Sequence, residues 1–169
     1  IERSMAFSRL RRMHPAGLLV DVGCGPGYLA ADISRKYPDL HVIGVDINNW
    51  MIDRAKQNFT ECTGRLEFRC GDAQSLPFED RSVDFIVSTG AFHHWMDGGR
   101  SLDEFYRVLR PGGRFLLLDL RRDMRRWFYW GVCLAQSMMP HAIRQQNGAM
   151  GSVCASYTIA EMDDLLTGS

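Results

Sequence analysis

The sequence predicts a single α/β domain, doubly wound around a mostly parallel sheet. Three observations carry that expectation: five short apolar runs, helix-like segments between them, and a glycine-rich turn where the first run meets the first helix. Runs apolar on both faces suit a parallel sheet covered by helices on each side. Alternation of strand and helix is the signature of the doubly wound class, which binds ligands at the carboxyl ends of its strands. At 169 residues, with 46% hydrophobic and 24% charged, the chain is long and apolar enough to bury a core without disulfides or metal.

Each element has a local reason. Leu18–Val22, His41–Asp46, Leu66–Cys70, Val83–Ser88 and Arg114–Leu120 are aliphatic or β-branched and bounded by Gly, Pro, Asp or Asn, and so read as strands. The helix expected at Gly27–Tyr37 follows Pro26 and stops before Pro38. A second, Asn49–Phe59, has Asn48 or Asn49 as its cap. Ser101 and Glu104 have capping-box spacing ahead of Leu102, Phe105, Val108 and Leu109 at helical period. Arg110-Pro111-Gly112-Gly113 is expected to end that helix and turn into the next strand. Thr158 and Glu161 form a second box, opening a short helix through Leu166.

Composition narrows the function classes. Twenty basic and twenty acidic residues cancel, so no global field draws the chain to nucleic acid, and no nucleic-acid partner is expected. Five cysteines, an odd number without a C-x-x-C pair, read as reduced thiols of a cytoplasmic protein, most of them filling core. No signal peptide is evident and no apolar run approaches the roughly 20 residues that span a bilayer, so stable membrane insertion is not expected.

The turn Asp21-Val22-Gly23-Cys24-Gly25-Pro26-Gly27 carries the chemistry. Alternate glycines remove Cβ atoms, so a ligand can lie against bare backbone. Three cofactor readings compete for it. A phosphate loop needs a lysine after its last glycine, and none follows Gly27. A dinucleotide fingerprint starting at Gly23 needs glycine at position 28, which is tyrosine. What remains has an acid at its head and no basic side chain, which suits a ligand carrying a sulfonium and an ammonium rather than a pyrophosphate. A structural tight turn is the bland alternative.

With these motifs the chain resembles the class I S-adenosylmethionine-dependent methyltransferases, especially the small-molecule group that includes ubiquinone and menaquinone biosynthesis enzymes. The likeness covers roughly residues 17–120. It implies a Rossmann-like sheet of seven strands and S-adenosylmethionine as cofactor. It implies that Val20–Gly27, with Asp21, Gly23, Cys24, Gly25 and Gly27, cradles the methionine part. Asp46 would hold the ribose hydroxyls and Ile47 pack on adenine, while Asp72 and Ala73 of Gly71-Asp72-Ala73 address the adenine. Asp84–Ser88 with Thr89–Trp95 resembles the fourth-strand motif, placing Thr89 beside the cofactor, and Arg110–Gly113 resembles the turn before strand five. Independently of the family, Asp46 stands at a strand end, where a carboxylate can accept from two vicinal hydroxyls.

The acceptor side leaves fewer traces. Methyl transfer from a sulfonium needs alignment and water exclusion, and a base only where the acceptor loses a proton. His93 and His94, beside Trp95, are the candidate catalytic bases; alternatively His94 packs or hydrogen-bonds near the cofactor's methionine end. No metal is expected, since adjacent imidazoles should diverge and no third ligand is evident. The stretch here reads Ser88-Thr89-Gly90-Ala91 rather than Asn-Pro-Pro-Tyr, which points away from a planar amine acceptor.

Arg121–Met139 has four arginines followed by Trp127-Phe128-Tyr129-Trp130, and reads as a cap over a small-molecule acceptor, a core helix or a membrane-surface contact. Residues 121–157 are accordingly expected as a cap or insert within a single domain spanning 1–169. Only five of seven strands can be placed, so a C-terminally truncated domain is expected, with an exposed sheet edge that invites a homodimer. Two rivals stand: a module that binds S-adenosylmethionine without catalysis, and an NAD-dependent oxidoreductase.

Overall fold

The structure, a computed structural model, describes residues 2–60, 64–119 and 156–167. Five strands, β1 (Gly17–Val22), β2 (Leu40–Asp46), β3 (Leu66–Cys70), β4 (Val83–Thr89) and β5 (Leu109–Leu118), form one sheet of order β3-β2-β1-β4-β5. All four pairings are parallel. The order reverses between β1 and β4, so the crevice above their carboxyl ends is the switch point at which such sheets take ligands.

Helices cover both faces. On one, α1 (Glu2–Met13), α2 (Tyr28–Lys36) and α3 (Asn49–Asn58) bring Ala6, Leu10, Leu29, Ile33, Ile52 and Ala55 onto Leu19, Val42, Phe68 and Phe85. On the other, α4 (Gly98–Val108) sets Leu102, Phe105 and Val108 against Val20, Ile43 and Ile86. There α5 (Ile159–Thr167) adds Met162 and Leu165 at its margin. Strand alternation puts Leu19 in the first cluster and Val20 and Val22 in the second, which turns Asp21 toward the α1–α3 side.

Five differences from these expectations stand out. α1 was not foreseen: it is rich in Arg, with only a narrow apolar stripe at Ala6 and Leu10, and its apolar period is weak. α4 begins three residues before Ser101, capped by Asp97, whose side chain accepts from Arg100 N. The Ser101–Glu104 box does not form. Ser101 Oγ instead donates to Asp97 O at 2.9 Å, and Glu104 accepts from Leu76 N and Arg107.

Arg110–Gly113 is not a turn ahead of β5 but a bulge inside it. Val83 pairs with Leu109 and Phe85 already with Arg114, with Gly112 at φ 81° absorbing the excess. The Thr158–Glu161 box does form, with Thr158 N donating to Glu161 and Glu161 N to Thr158 Oγ1. β5 ends at Leu118, two residues before its expected end. The expected cap at 121–139, with the Trp127–Trp130 cluster, lies outside the described residues. Among the described residues no helix is long and apolar enough to cross a membrane.

Candidate functional site

The glycine turn closes over the carboxyl ends of β1 and β2. Gly23 N and Cys24 N both donate to Val45 O, and Gly27 N turns back to Cys24 O. Gly23, Gly25 and Gly27 have φ of 76°, 52° and 82°, left-handed values that a side chain resists. A Cβ on Gly23 would stand 2.4 Å from that of Ala91, so the turn after β4 lies directly against the glycine turn. A Cβ on Gly25 would meet nothing within 4 Å, which leaves the backbone there bare and approachable.

Asp21 lies beneath this turn, 1% exposed. Its Oδ2 is buried without a hydrogen-bond partner. Burial pushes its carboxyl up to about 7, against a smaller lowering by the Ala30 backbone N–H at the start of α2 and with a further rise from Asp46. A buried carboxyl oxygen without a donor calls for a proton or a cation. Cys24 is buried beside it, and desolvation together with the charges of Asp21 and Asp46 keeps its thiol protonated.

Asp46 ties the three strand ends together. Its Oδ2 accepts from Gly25 N and its Oδ1 from Asn48 N, both at 2.9 Å, while its carbonyl accepts from Gly71 N. A carboxylate offers about four lone-pair sites, so acceptor capacity remains for a ligand. Ile47, next to it, is 67% exposed although large and apolar, a surface that a flat apolar ring would cover. Asp72 accepts from Gln74 N and Ala73 is buried in the second cluster, so Ala73 presents little surface of its own.

Beyond β4, Thr89 pairs with Leu118 at the strand's end, and a single 3-10 turn, Phe92–His94, follows. His93 is buried; its Nδ1 lies 2.6 Å from Asp119 Oδ1 and its backbone N–H donates to Asp119 Oδ2 at 3.1 Å. His93 Nε2 is buried without a partner. His94 is exposed, and desolvation, then the adjacent His93, lowers its imidazole below the usual value. The two imidazoles pack on each other, their centroids 3.9 Å apart at 47°. Among the described residues no group of three His, Cys, Asp or Glu is placed to hold a metal.

The structure thus gathers Asp21, Gly23, Cys24, Gly25, Gly27, Asp46 and Ile47 around one turn, with Ala91 of the His93 turn against it. Asp119 and the supporting Phe68 were not singled out from sequence. Phe68 sits 2.6 Å from where a Cβ on Gly27 or Gly44 would be. Its signal was only an aromatic in a strand. The donor set, acidic and glycine-lined, fits S-adenosylmethionine: a buried carboxyl for its cations, a carboxylate at a strand end for its hydroxyls and an exposed Ile for its base.

The methyltransferase-domain family matches residues 20–117. A demethylmenaquinone methyltransferase of Symbiobacterium thermophilum is 33% identical over 128 residues, 74% of this chain and 51% of that protein. An arsenite methyltransferase of Halobacterium salinarum is 38% identical over 112 residues, 64% of this chain and 28% of that protein. Among solved structures, the YcgJ protein of Bacillus subtilis superposes with a TM-score of 0.72 at 26% identity, covering 98% of this chain and 67% of that one. The chain therefore spans about half the length of the first of these relatives and less than a third of the second.

Proposed function

The chain belongs to the methyltransferase-domain family, and on that premise we propose that it transfers a methyl group from S-adenosylmethionine to a small-molecule acceptor. The observation that carries this reading is the buried, partnerless Oδ2 of Asp21 beneath a glycine turn that is open at Gly25. A phosphate would find repulsion there, and a cation finds a counter-charge. The bound cofactor supplies an electrophilic methyl on a sulfonium, whose sulfur is an excellent leaving group.

The chain's own residues bind and orient. Asp21 faces the cationic end, Gly23, Gly25 and Gly27 give backbone without side chains, Cys24 lines the same turn with its thiol buried in the core, and Asp46 takes the ribose hydroxyls. Ile47 covers the base, with Asp72 and Ala73 at its rim and Thr89 at the end of β4. The turn carrying His93 and His94 then borders the acceptor. The names of the relatives, a quinone-precursor enzyme and an arsenite enzyme, differ so widely in acceptor that they support the donor and leave the acceptor open.

Calorimetric titration with S-adenosylhomocysteine and, separately, NAD tests the reading. Saturable binding of S-adenosylhomocysteine without binding of NAD is expected. The reverse pattern would make the chain an oxidoreductase module. Binding without methyl transfer to phenols, thiols and amines would leave the non-catalytic module standing.

A further inference from the structure

We propose that His93 is the base that takes the acceptor's proton, that Asp119 is the residue positioning it, and that the acceptor is therefore a proton-bearing heteroatom such as a hydroxyl or thiol. This rests on the methyl-transfer reading above and deepens it on the acceptor side.

The geometry has three parts. Asp119 follows the end of β5 and takes two bonds from one residue, the backbone N–H of His93 at 3.1 Å and its ring at 2.6 Å. A carboxylate only accepts, so Nδ1 carries the proton at that contact, and in the neutral imidazole Nε2 is then the bare acceptor. That same Nε2 is buried and has no hydrogen-bond partner among the described residues.

A buried acceptor without a donor is unfavourable, and such an atom beside a binding site suits a donor that a ligand brings. The position is right for one. His93 lies in the turn whose Ala91 packs on Gly23, at the switch point between β1 and β4 where the methyl-donor cradle opens. His94 is the poorer base, because its ring is exposed and, among the described residues, no carboxylate hydrogen-bonds to it. A fold clamp alone would be served by the backbone bond to Asp119. The ring bond adds orientation.

The chemistry balances. The acceptor's lone pair forms the bond to the methyl carbon as the carbon–sulfur bond breaks onto sulfur. The acceptor's proton passes to His93 Nε2. The imidazolium so formed sits against Asp119, whose carboxylate compensates the charge. Acceptors without a proton to lose gain nothing from this arrangement.

Long-range proton–nitrogen spectra of histidine-labelled protein saturated with S-adenosylhomocysteine test the first half. His93 is expected with Nδ1 protonated and Nε2 bare, and Asp119→Asn is expected to move the proton toward Nε2. A wild-type His93 protonated on Nε2, or a tautomer indifferent to Asp119→Asn, would overturn the proposal.

The second half is read by methyl transfer to a phenol, an aliphatic thiol and a tertiary amine. His93→Gln should lower kcat on the phenol or thiol at least about 100-fold with an unchanged KM for S-adenosylmethionine. Asp119→Asn should lower kcat less, again without touching that KM. Turnover confined to the tertiary amine, or kcat insensitive to His93→Gln, would overturn it. If all three probes are silent or a variant does not fold, the wild-type tautomer decides. A protein that binds no S-adenosylhomocysteine refutes the methyl-transfer reading instead, and the tautomer of the free protein remains readable.

Discussion

Asp46 does two jobs with one carboxylate, and this sets what its removal costs. Both oxygens already accept backbone N–H groups, Gly25 from the glycine turn and Asn48 from the cap of α3. A ribose would use the remaining lone pairs. Hydrogen bonds to a charged group are worth about 1.5–3 kcal/mol, so Asp46→Ala is expected to weaken S-adenosylhomocysteine binding by roughly tenfold or more. Calorimetry checks this, and an unchanged affinity would remove Asp46 from the site. The residue itself was legible, as an acid at the end of an apolar run. Its bond to Gly25 was not, because residues 21 positions apart meet only through the β1–β2 register that pairs Asp21 with Gly44. Asp119 is hidden for the same reason: it reaches His93 across 26 residues through the β4–β5 pairing.

Local pattern was a good guide where an element's partners lie within its own stretch of sequence. β3 runs over the residues its apolar run predicts, and α3 takes the Asn48 cap that its sequence offers. At α4 the local spacing pointed to the wrong start. Ser101 and Glu104 satisfy the box spacing, but Asp97 lies upstream and the apolar face at Ser101 faces inward, so the helix starts earlier and buries Ser101. Glu104 is drawn away by Arg107 and by the Leu76 N–H, partners supplied by tertiary packing rather than by its own turn. The observed cap predicts that Asp97→Ala destabilises the protein by about 1 kcal/mol while Asp97→Asn is nearly neutral. Urea unfolding reads both as midpoint shifts at constant slope. Equal losses for Ala and Asn would mean that the side chain does not cap α4.

At the scale of the molecule, the site and the stability of the fold pull against each other at Asp21. Its carboxyl is pushed up to about 7 in the folded chain, chiefly by burial, against an ordinary value of 3.8. Between these values the folded state holds a proton that the unfolded state has lost, so stability falls as pH rises through this window. The contribution is fully present below about pH 4 and is lost by about pH 7, on the order of 4 kcal/mol if nothing relaxes. Asp21→Asn keeps the shape and cannot ionise, so it should flatten this part of the pH profile of unfolding.

A cationic ligand reverses the balance. An ammonium beside Asp21 stabilises the carboxylate, so binding expels the proton below pH 7 and costs nothing above it. S-adenosylhomocysteine is therefore expected to raise the melting temperature more at pH 7.5 than at pH 5.5, and to release close to one proton per site near pH 5.5. Calorimetry in buffers of different ionisation enthalpy counts that proton. A shift independent of pH, or larger at pH 5.5, would mean that the cation does not meet Asp21. The glycine turn would then hold its ligand by shape alone.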